Sequence, residues 1–303
     1  MPASTQTMIR PETPVLLKWS VLSQLIKARL TLMVLLTTLF GFYFGANGAI
    51  QYGLLLHTMM GTALLACGAS ALNQYLERDY DAKMHRTEGR PLPSNKIRPQ
   101  TALIFGAITS IVGMAQLALA VDLLTSLLGA ATLISYLFIY TPLKRVTTLN
   151  TIVGAIPGAL PPLMGWTAGS GRGEIASEGL ALFGLLFFWQ LPHFLAIAWL
   201  YREDYARAGF QMLPILDPTG ERTGRYALAH TLGLLPVSLI PVALKMAGAV
   251  YLAGALICGL LFVYAAWGFS RELTAERARR LFFVSLVYLP AILGLMALDR
   301  IKH

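Results

Sequence analysis

Charge is scarce in this chain: Asp, Glu, Lys and Arg make up 13% of its 303 residues, against roughly a quarter in an ordinary soluble domain. A surface facing water is not covered at that density, which excludes a soluble globular protein. A nucleic-acid reading goes with it, because the net charge of +9 has no soluble basic domain to act from. Cysteine is scarce too. The two present, Cys67 and Cys258, both fall in apolar segments, so neither a disulfide framework nor a zinc site is expected, only small core residues. The first 28 residues carry Arg10, Lys18 and Lys27 but no short apolar core followed by a small-residue cleavage site. A removable signal peptide is therefore not expected, and the first apolar segment serves as the insertion signal.

What the chain has in abundance is apolar residues, at 56%. Hydrocarbon offers no partner to a free backbone N–H or C=O, so a segment that spans a bilayer has to be a helix of about 20 mostly apolar residues. Such windows lie at 29–48, 53–76, 101–120, 123–141, 149–168, 179–200, 225–246, 248–268 and 281–298, with Asp122 and the Lys245–Gly248 stretch marking the two narrowest gaps. The predicted fold class is an all-α integral membrane protein with nine transmembrane helices, one domain over 29–300 behind a cytoplasmic tail, 1–28. Alternating sides collect all of the 24 Lys and Arg on one face except Arg172, Lys245, Arg300 and Lys302. Basic loops stay in the cytoplasm, so the N-terminus is expected inside and the C-terminus outside.

The few charges are concentrated. The stretch NQYLERDYDAKMHRTEGR, residues 73–90, closes the second window. Asn73, Glu77 and Asp81 stand at i, i+4 and i+8, one stripe on a helix of 3.6 residues per turn. Asp79 is about 200° around from Glu77 and is left out. Two carboxylates and an amide are hard oxygen donors suited to Mg²⁺, which binds through one or two carboxylates plus substrate phosphates; nothing soft is present for zinc or copper. Arg86 and Arg90 come next, cations for the phosphate oxygens that a metal does not hold. Any one of these acids taken alone is better explained as a solvated residue at the membrane interface, but cations follow closely and similar material recurs on the same face.

One recurrence is YTPLKRVTTLN, residues 140–150, which brings Tyr140, Lys144 and Arg145 to the cytoplasmic rim beside Pro142; inside-positive anchoring fits the two cations equally well. The other is FWQLPHFLAIAWLYREDYARAG, residues 188–209. There Gln190 and His193 sit in apolar sequence, where polar groups are costly and often functional, and His193 is expected to face a cavity. Glu203, Asp204 and Arg207 lie beyond, at the rim. Two acidic rims on one face, clamping a diphosphate through Mg²⁺, withdraw charge as a carbon–oxygen bond breaks. The reaction class is departure of diphosphate from a lipid, with transfer of the lipid to an acceptor. In 154–166 the small pair Gly154 and Gly158 permits close helix contact, while Pro157, Pro161 and Pro162 remove backbone donors, so a broken helix lining the chamber is expected there.

The pattern formed by Asn73, Glu77, Asp81, Arg86, Thr87, Arg90, Pro91, Leu92 and Pro93, with YTPLKR, GAIPGALPPLMGW (154–166), WQLPHF (189–194) and REDYARAGFQMLP (202–214), resembles the UbiA-type intramembrane prenyltransferases. Within them it looks most like the branch that farnesylates protohaem IX, the haem O synthases. The resemblance runs from residue 29 to about 300. It implies a UbiA-type bundle around a central cavity in the bacterial cytoplasmic membrane, Mg²⁺ as cofactor, and farnesyl diphosphate and haem b as substrates. It also implies contact with membrane lipid and with oxidase-assembly or haem A synthase proteins, and no nucleic acid. Carried over residue by residue, it implies Asn73, Glu77, Asp81, His193 and Asp204 as catalytic, with Asn73, Glu77, Asp81 and Asp204 on the metal. Arg86, Arg90, Tyr140, Lys144, Arg145 and Arg207 would hold diphosphate. Most relatives carry an Asp-rich element after span six, where this chain has His193 at roughly the first acidic position, pointing that residue toward the haem as iron ligand or proton carrier. Two rival readings are a UbiA-type aromatic prenyltransferase of a quinone pathway and an organic-anion transporter, since a basic-rimmed cavity with broken helices also suits carriers.

Overall fold

A computed structural model describes residues 18–46 and 48–301; Arg10, Lys302 and most of the expected tail lie outside the described residues. The described part of that tail is not loose. A short helix, α1 (Trp19–Leu25), is tied to the bundle by Gln74, whose amide donates to the carbonyls of Gln24 and Leu25, both at 2.8 Å. Leu25 is fully buried with Ala71, Leu92, Ile97 and Ala102. Lys27, in the left-handed region at φ +47°, then turns the chain into α2 (Ala28–Gly45).

Next come α3 (Tyr52–Asp81), α4 (Pro99–Ala120), α5 (Leu123–Leu143, a π-helical turn at Ser135–Tyr140 included) and α6 (Asn150–Ser170). They are succeeded by α7 (Ser177–Leu200), two short helices α8 (Arg202–Arg207) and α9 (Leu213–Leu216), and then α10 (Glu221–Ala243), α11 (Ala249–Arg271) and α12 (Ala275–Leu298). Asp122 marks the start of α5 by capping it, accepting from the Thr125 N–H at 2.7 Å and its hydroxyl at 2.6 Å.

Among the described residues, eight helices are long and apolar enough to cross a membrane, not the nine expected. The window at 149–168 does form a helix, the 21-residue α6, but it is not one of the eight. Its glycines, prolines, Asn150 and threonines lower its mean hydropathy, and most of it is buried against neighbouring helices, although Ile152 and Ile156 are exposed. Nor is α6 broken. It is helical from Asn150 to Ser170 with Pro157, Pro161 and Pro162 inside it, the missing N–H groups being tolerated where neighbouring helices and a cavity surround the backbone.

At the crossing of α2 and α6 the two backbones approach closely. A Cβ added to Gly41 would collide with the carbonyl of Pro162, and one added to Gly165 with the carbonyl of Thr38. Gly154 and Gly158 instead make room for the Tyr140 ring and the Gln190 amide, so that pair admits side chains and not a helix backbone. Gly165→Val is therefore expected to lower stability by about 3 kcal/mol or more, since overpacking here meets backbone that cannot yield. A thermal melt in detergent checks this; an unchanged midpoint would show that the crossing relaxes.

Length positions the site. At 1.5 Å per residue the 30-residue α3 runs about 45 Å, well beyond a hydrocarbon core of about 30 Å. Its last turns, with Asn73, Glu77 and Asp81, therefore stand at the rim. There the 82–98 segment meets α8 and the loop after it: the Arg86 N–H donates to Asp204 Oδ2 at 3.2 Å, and Met84 packs with Ala208, Phe210 and Met212. At the opposite end Arg300 donates to the Ala46 carbonyl at 2.6 Å and Asp299 accepts from the Tyr251 N–H at 2.7 Å, closing the far ends of α2, α11 and α12 together.

Candidate active site

A cavity of about 370 Å³ opens between α2, α3, α5, α6 and α7. One stripe of α3 lines its whole depth: Thr62, Leu65, Ala69, Asn73, Glu77 and Asp81, successive steps of three and four residues on a single helical face. The mouth is charged and the interior apolar. Asn73, Glu77 and Asp81 are 1%, 5% and 1% exposed; the three lie side by side in one cavity wall. Asp79 points away, 78% exposed at its side chain and paired with Arg78.

Each of these three side chains, Asn73, Glu77 and Asp81, has a basic side chain against it. Lys144 Nζ donates to both Glu77 oxygens, at 2.7 and 3.0 Å. Arg90 donates to Asp81 Oδ2 at 2.7 Å, and Lys27 Nζ donates to Asn73 Oδ1 at 2.6 Å and to the Tyr136 hydroxyl at 3.3 Å. The Asn73 amide in turn donates to Thr141 Oγ1 at 3.1 Å. The two lysines differ electrostatically. Burial works against the charge on Lys144, but Glu77, with Tyr140 and Tyr136, outweighs it and pushes the pKa up. Lys27 faces a neutral amide, so burial, reinforced by Arg90, pulls it down to about 7 despite Glu77.

The π-helical turn in α5 puts Tyr136 and Tyr140 together in the wall, their rings stacked at 5.9 Å. Pro142 lacks the N–H that would close an α-turn onto Phe138, and the Thr141 hydroxyl donates to the Tyr136 carbonyl at 2.9 Å. Such single π turns often mark functional sites. Lys144 Nζ lies 4.6 Å from the Tyr140 ring centroid, where the ring face attracts a cation.

Of the residues expected from sequence, Asn73, Glu77, Asp81, Arg86, Arg90, Tyr140 and Lys144 line the cavity. Others do not. Arg145 is turned out, donating to the Tyr80 hydroxyl at 2.8 Å. Asp204 is buried just beyond the mouth, held by the Arg86 N–H and bonded to Arg207, which is itself partly exposed and satisfied by that carboxylate; Glu203 is exposed.

The expectation that His193 faces the cavity is overturned. Gln190, Phe194 and Ile197 form the lining face of α7, whereas Trp189 and His193 occupy the next face, against α12. His193 Nδ1 lies 2.7 Å from Ser285 Oγ, and the ring stacks on Phe282 at 5.0 Å and Trp189 at 5.2 Å. Sequence reasoning missed Lys27 and Tyr136. The first had been absorbed into the basic face; the second is brought in by a π turn whose only sequence mark is Pro142.

Among the described residues no three His, Cys, Asp or Glu side chains come together as a metal-ligand group, so the expected set of Asn73, Glu77, Asp81 and Asp204 is not a closed cage. Two carboxylates and an amide oxygen in one wall still fit Mg²⁺ if the remaining ligands are substrate phosphate oxygens and water.

Residues 34–287 match the model of the UbiA prenyltransferase family. A protoheme IX farnesyltransferase of Solibacter usitatus is 49% identical, over 91% of this chain and 97% of the relative. Two solved structures share the fold. A digeranylgeranylglyceryl phosphate synthase aligns with TM-score 0.79 at 19% identity, over 94% of this chain and 99% of its own. A UbiA homologue from Archaeoglobus fulgidus bound to GPP and Mg²⁺ aligns with TM-score 0.64 at 15% identity, over 91% and 99%.

Proposed function

The chain belongs to the UbiA prenyltransferase family, and from that premise we propose that it transfers a farnesyl group from farnesyl diphosphate to a vinyl group of haem b. The observation that carries the reading is the join within one cavity: acids and cations paired at the mouth, an apolar shaft below, in a chain 49% identical to a protoheme IX farnesyltransferase. A carrier of organic anions has no use for a stripe of hard oxygens. The run RPLP after Arg86 and the 49% identity also favour haem b over a quinone precursor.

In the proposed reaction the C1–O bond of farnesyl diphosphate breaks and its electron pair leaves with the diphosphate. The vinyl terminus of haem b then bonds to C1. Water adds to the resulting cationic carbon and loses a proton, giving a hydroxyethylfarnesyl side chain. Lys144, Arg90 and Arg86 would surround the leaving oxygens as fixed cations, which in a dry site stabilise charge as it develops and need no reorganisation at that moment; Lys27 joins them once the diphosphate's charge holds it protonated. Glu77 and Asp81, with Asn73, would hold Mg²⁺, which when bound supplies further positive charge to the leaving group. Tyr136 and Tyr140 hold Lys27 and Lys144 in place by a hydroxyl and a ring face.

The basic rim belongs to the cytoplasmic side of a bacterial inner membrane by the distribution of Lys and Arg, which puts the N-terminus inside and the C-terminus outside. A product this apolar passes within the bilayer to oxidase-assembly or haem A synthase proteins. Purified protein given farnesyl diphosphate and Mg²⁺ with either haem b or 4-hydroxybenzoate tests the reading. Farnesylated haem by mass spectrometry, lost with EDTA and restored by Mg²⁺, is expected. Farnesylated benzoate, or turnover indifferent to EDTA, would contradict it.

A further inference from the structure

The cavity is closed at its deep end, and the closure falls at a definite depth. Thr62 and Leu65 on α3, Thr132 on α5 and Met164 on α6 are the lining residues farthest from the charged mouth. Behind them Leu65 and Met164 pack with Leu117, Leu128, Leu160 and Leu163 in a separate apolar cluster. Thr58, one turn further along α3, is fully buried and does not line the cavity.

From Asn73 to Thr62 the axial rise is about 16 Å. An extended farnesyl chain of twelve main-chain carbons measures about 14 Å, from carbon–carbon bonds of about 1.5 Å. One more isoprene unit adds about 5 Å, so its end would fall about 19 Å down, past Thr62 and toward the buried Thr58, inside packed protein. Resting on the proposed farnesyl transfer, we propose that Leu65 and Met164, with Thr62 and Thr132 beside them, form a floor that sets prenyl chain length, admitting fifteen carbons and rejecting twenty.

Gly129 of α5 sets the height of that floor. A Cβ built there would lie 2.8 Å from Leu65 Cδ2 and 3.2 Å from Met164 Cε. These are the free ends of flexible side chains, so Gly129→Ala would drive both up into the cavity. Met164→Ala would do the opposite and open space toward Gly129 and Leu117. A single methylene in an apolar pocket is worth roughly 10- to 200-fold in selectivity, so a surplus isoprene unit against a fixed floor should discriminate strongly.

The test compares kcat/KM for geranyl, farnesyl and geranylgeranyl diphosphates with haem b as acceptor. Met164→Ala is expected to raise the geranylgeranyl-to-farnesyl ratio at least tenfold, and Gly129→Ala to lower the farnesyl-to-geranyl ratio by about as much. Ratios that stay within twofold of wild type in both variants would overturn the floor. A second measurement needs no variant: a farnesyl diphosphate analogue with a diazirine at its far end is photolysed in the wild-type protein. Label on Thr62, Leu65, Thr132 or Met164 supports the floor; label on Leu30 or Val34, on the α2 wall, overturns it. Labelling reads binding alone, so a failure to farnesylate haem b would overturn the parent reading without altering where the label falls.

Discussion

Glu77→Gln or Asp81→Asn is expected to lower kcat at least a thousandfold while the protein stays inserted and monodisperse in detergent. The substitutions keep size and shape, so the packing of α3 against α4 and α5 has no reason to change. What they remove is one negative charge from a wall in which each carboxylate is almost wholly buried and in hydrogen-bond contact with a cation. A neutral amide also replaces a hard anionic donor with a weaker one where Mg²⁺ would bridge to diphosphate. Loss of one preorganised electrostatic group costs roughly a hundred- to a thousandfold in kcat, and loss of the metal's grip adds to it. Single-turnover release of labelled diphosphate reads the effect at the chemical step. Wild-type turnover in both variants would remove the two carboxylates from the reaction.

Lys144→Met is expected to be almost as damaging, and it should also lower stability, by more than Glu77→Gln, whose amide oxygen can still accept from Lys144 where Met has nothing to donate to Glu77. Lys144 is 9% exposed and Glu77 5%, and removing one partner of a buried pair leaves an uncompensated charge at a cost of about 3–5 kcal/mol. The double variant Lys144→Met with Glu77→Gln separates the two consequences. It should recover most of the lost melting temperature, because no unpaired charge remains buried, and recover none of the turnover, because the leaving diphosphate still lacks its cation. A double variant as unstable as Lys144→Met would mean that the lysine stabilises by packing alone. The exposed pair Glu272 and Arg277, 2.9 Å apart at the start of α12, should show no comparable coupling, since surface ion pairs are worth little.

Much of this arrangement was legible in the sequence for simple reasons. Hydrocarbon forces long apolar helices, so every expected window coincides with a helix. The i, i+4, i+8 spacing of Asn73, Glu77 and Asp81 fixes them on one face wherever α3 goes, and Asp122 reads as a boundary because an aspartate begins a helix well. The misses share a cause: each depended on which neighbour a face meets. α6 reads as a span but most of it is buried against neighbouring helices, so glycine and proline take the place of some of the apolar residues that hydropathy counts. His193 lies only a fraction of a turn from Gln190 and Phe194, and that angle decides between the cavity and the α7–α12 contact. Arg145 and Arg207 are basic residues at the right rim whose side chains find Tyr80 and Asp204 instead. Lys27 stood at the start of the first span like any positive-inside anchor, and only the left-handed turn behind α1 swings it over Asn73.

The most direct measurement is an experimental structure of the protein with Mg²⁺ and a farnesyl thiodiphosphate that cannot ionise. Carboxylate oxygens of Glu77 and Asp81 should lie about 2.1 Å from the metal, the diphosphate should sit among Lys27, Arg90 and Lys144, and the prenyl chain should descend along α3 to Leu65 and Met164. A diphosphate bound away from that mouth, or a metal held without either carboxylate, would contradict it.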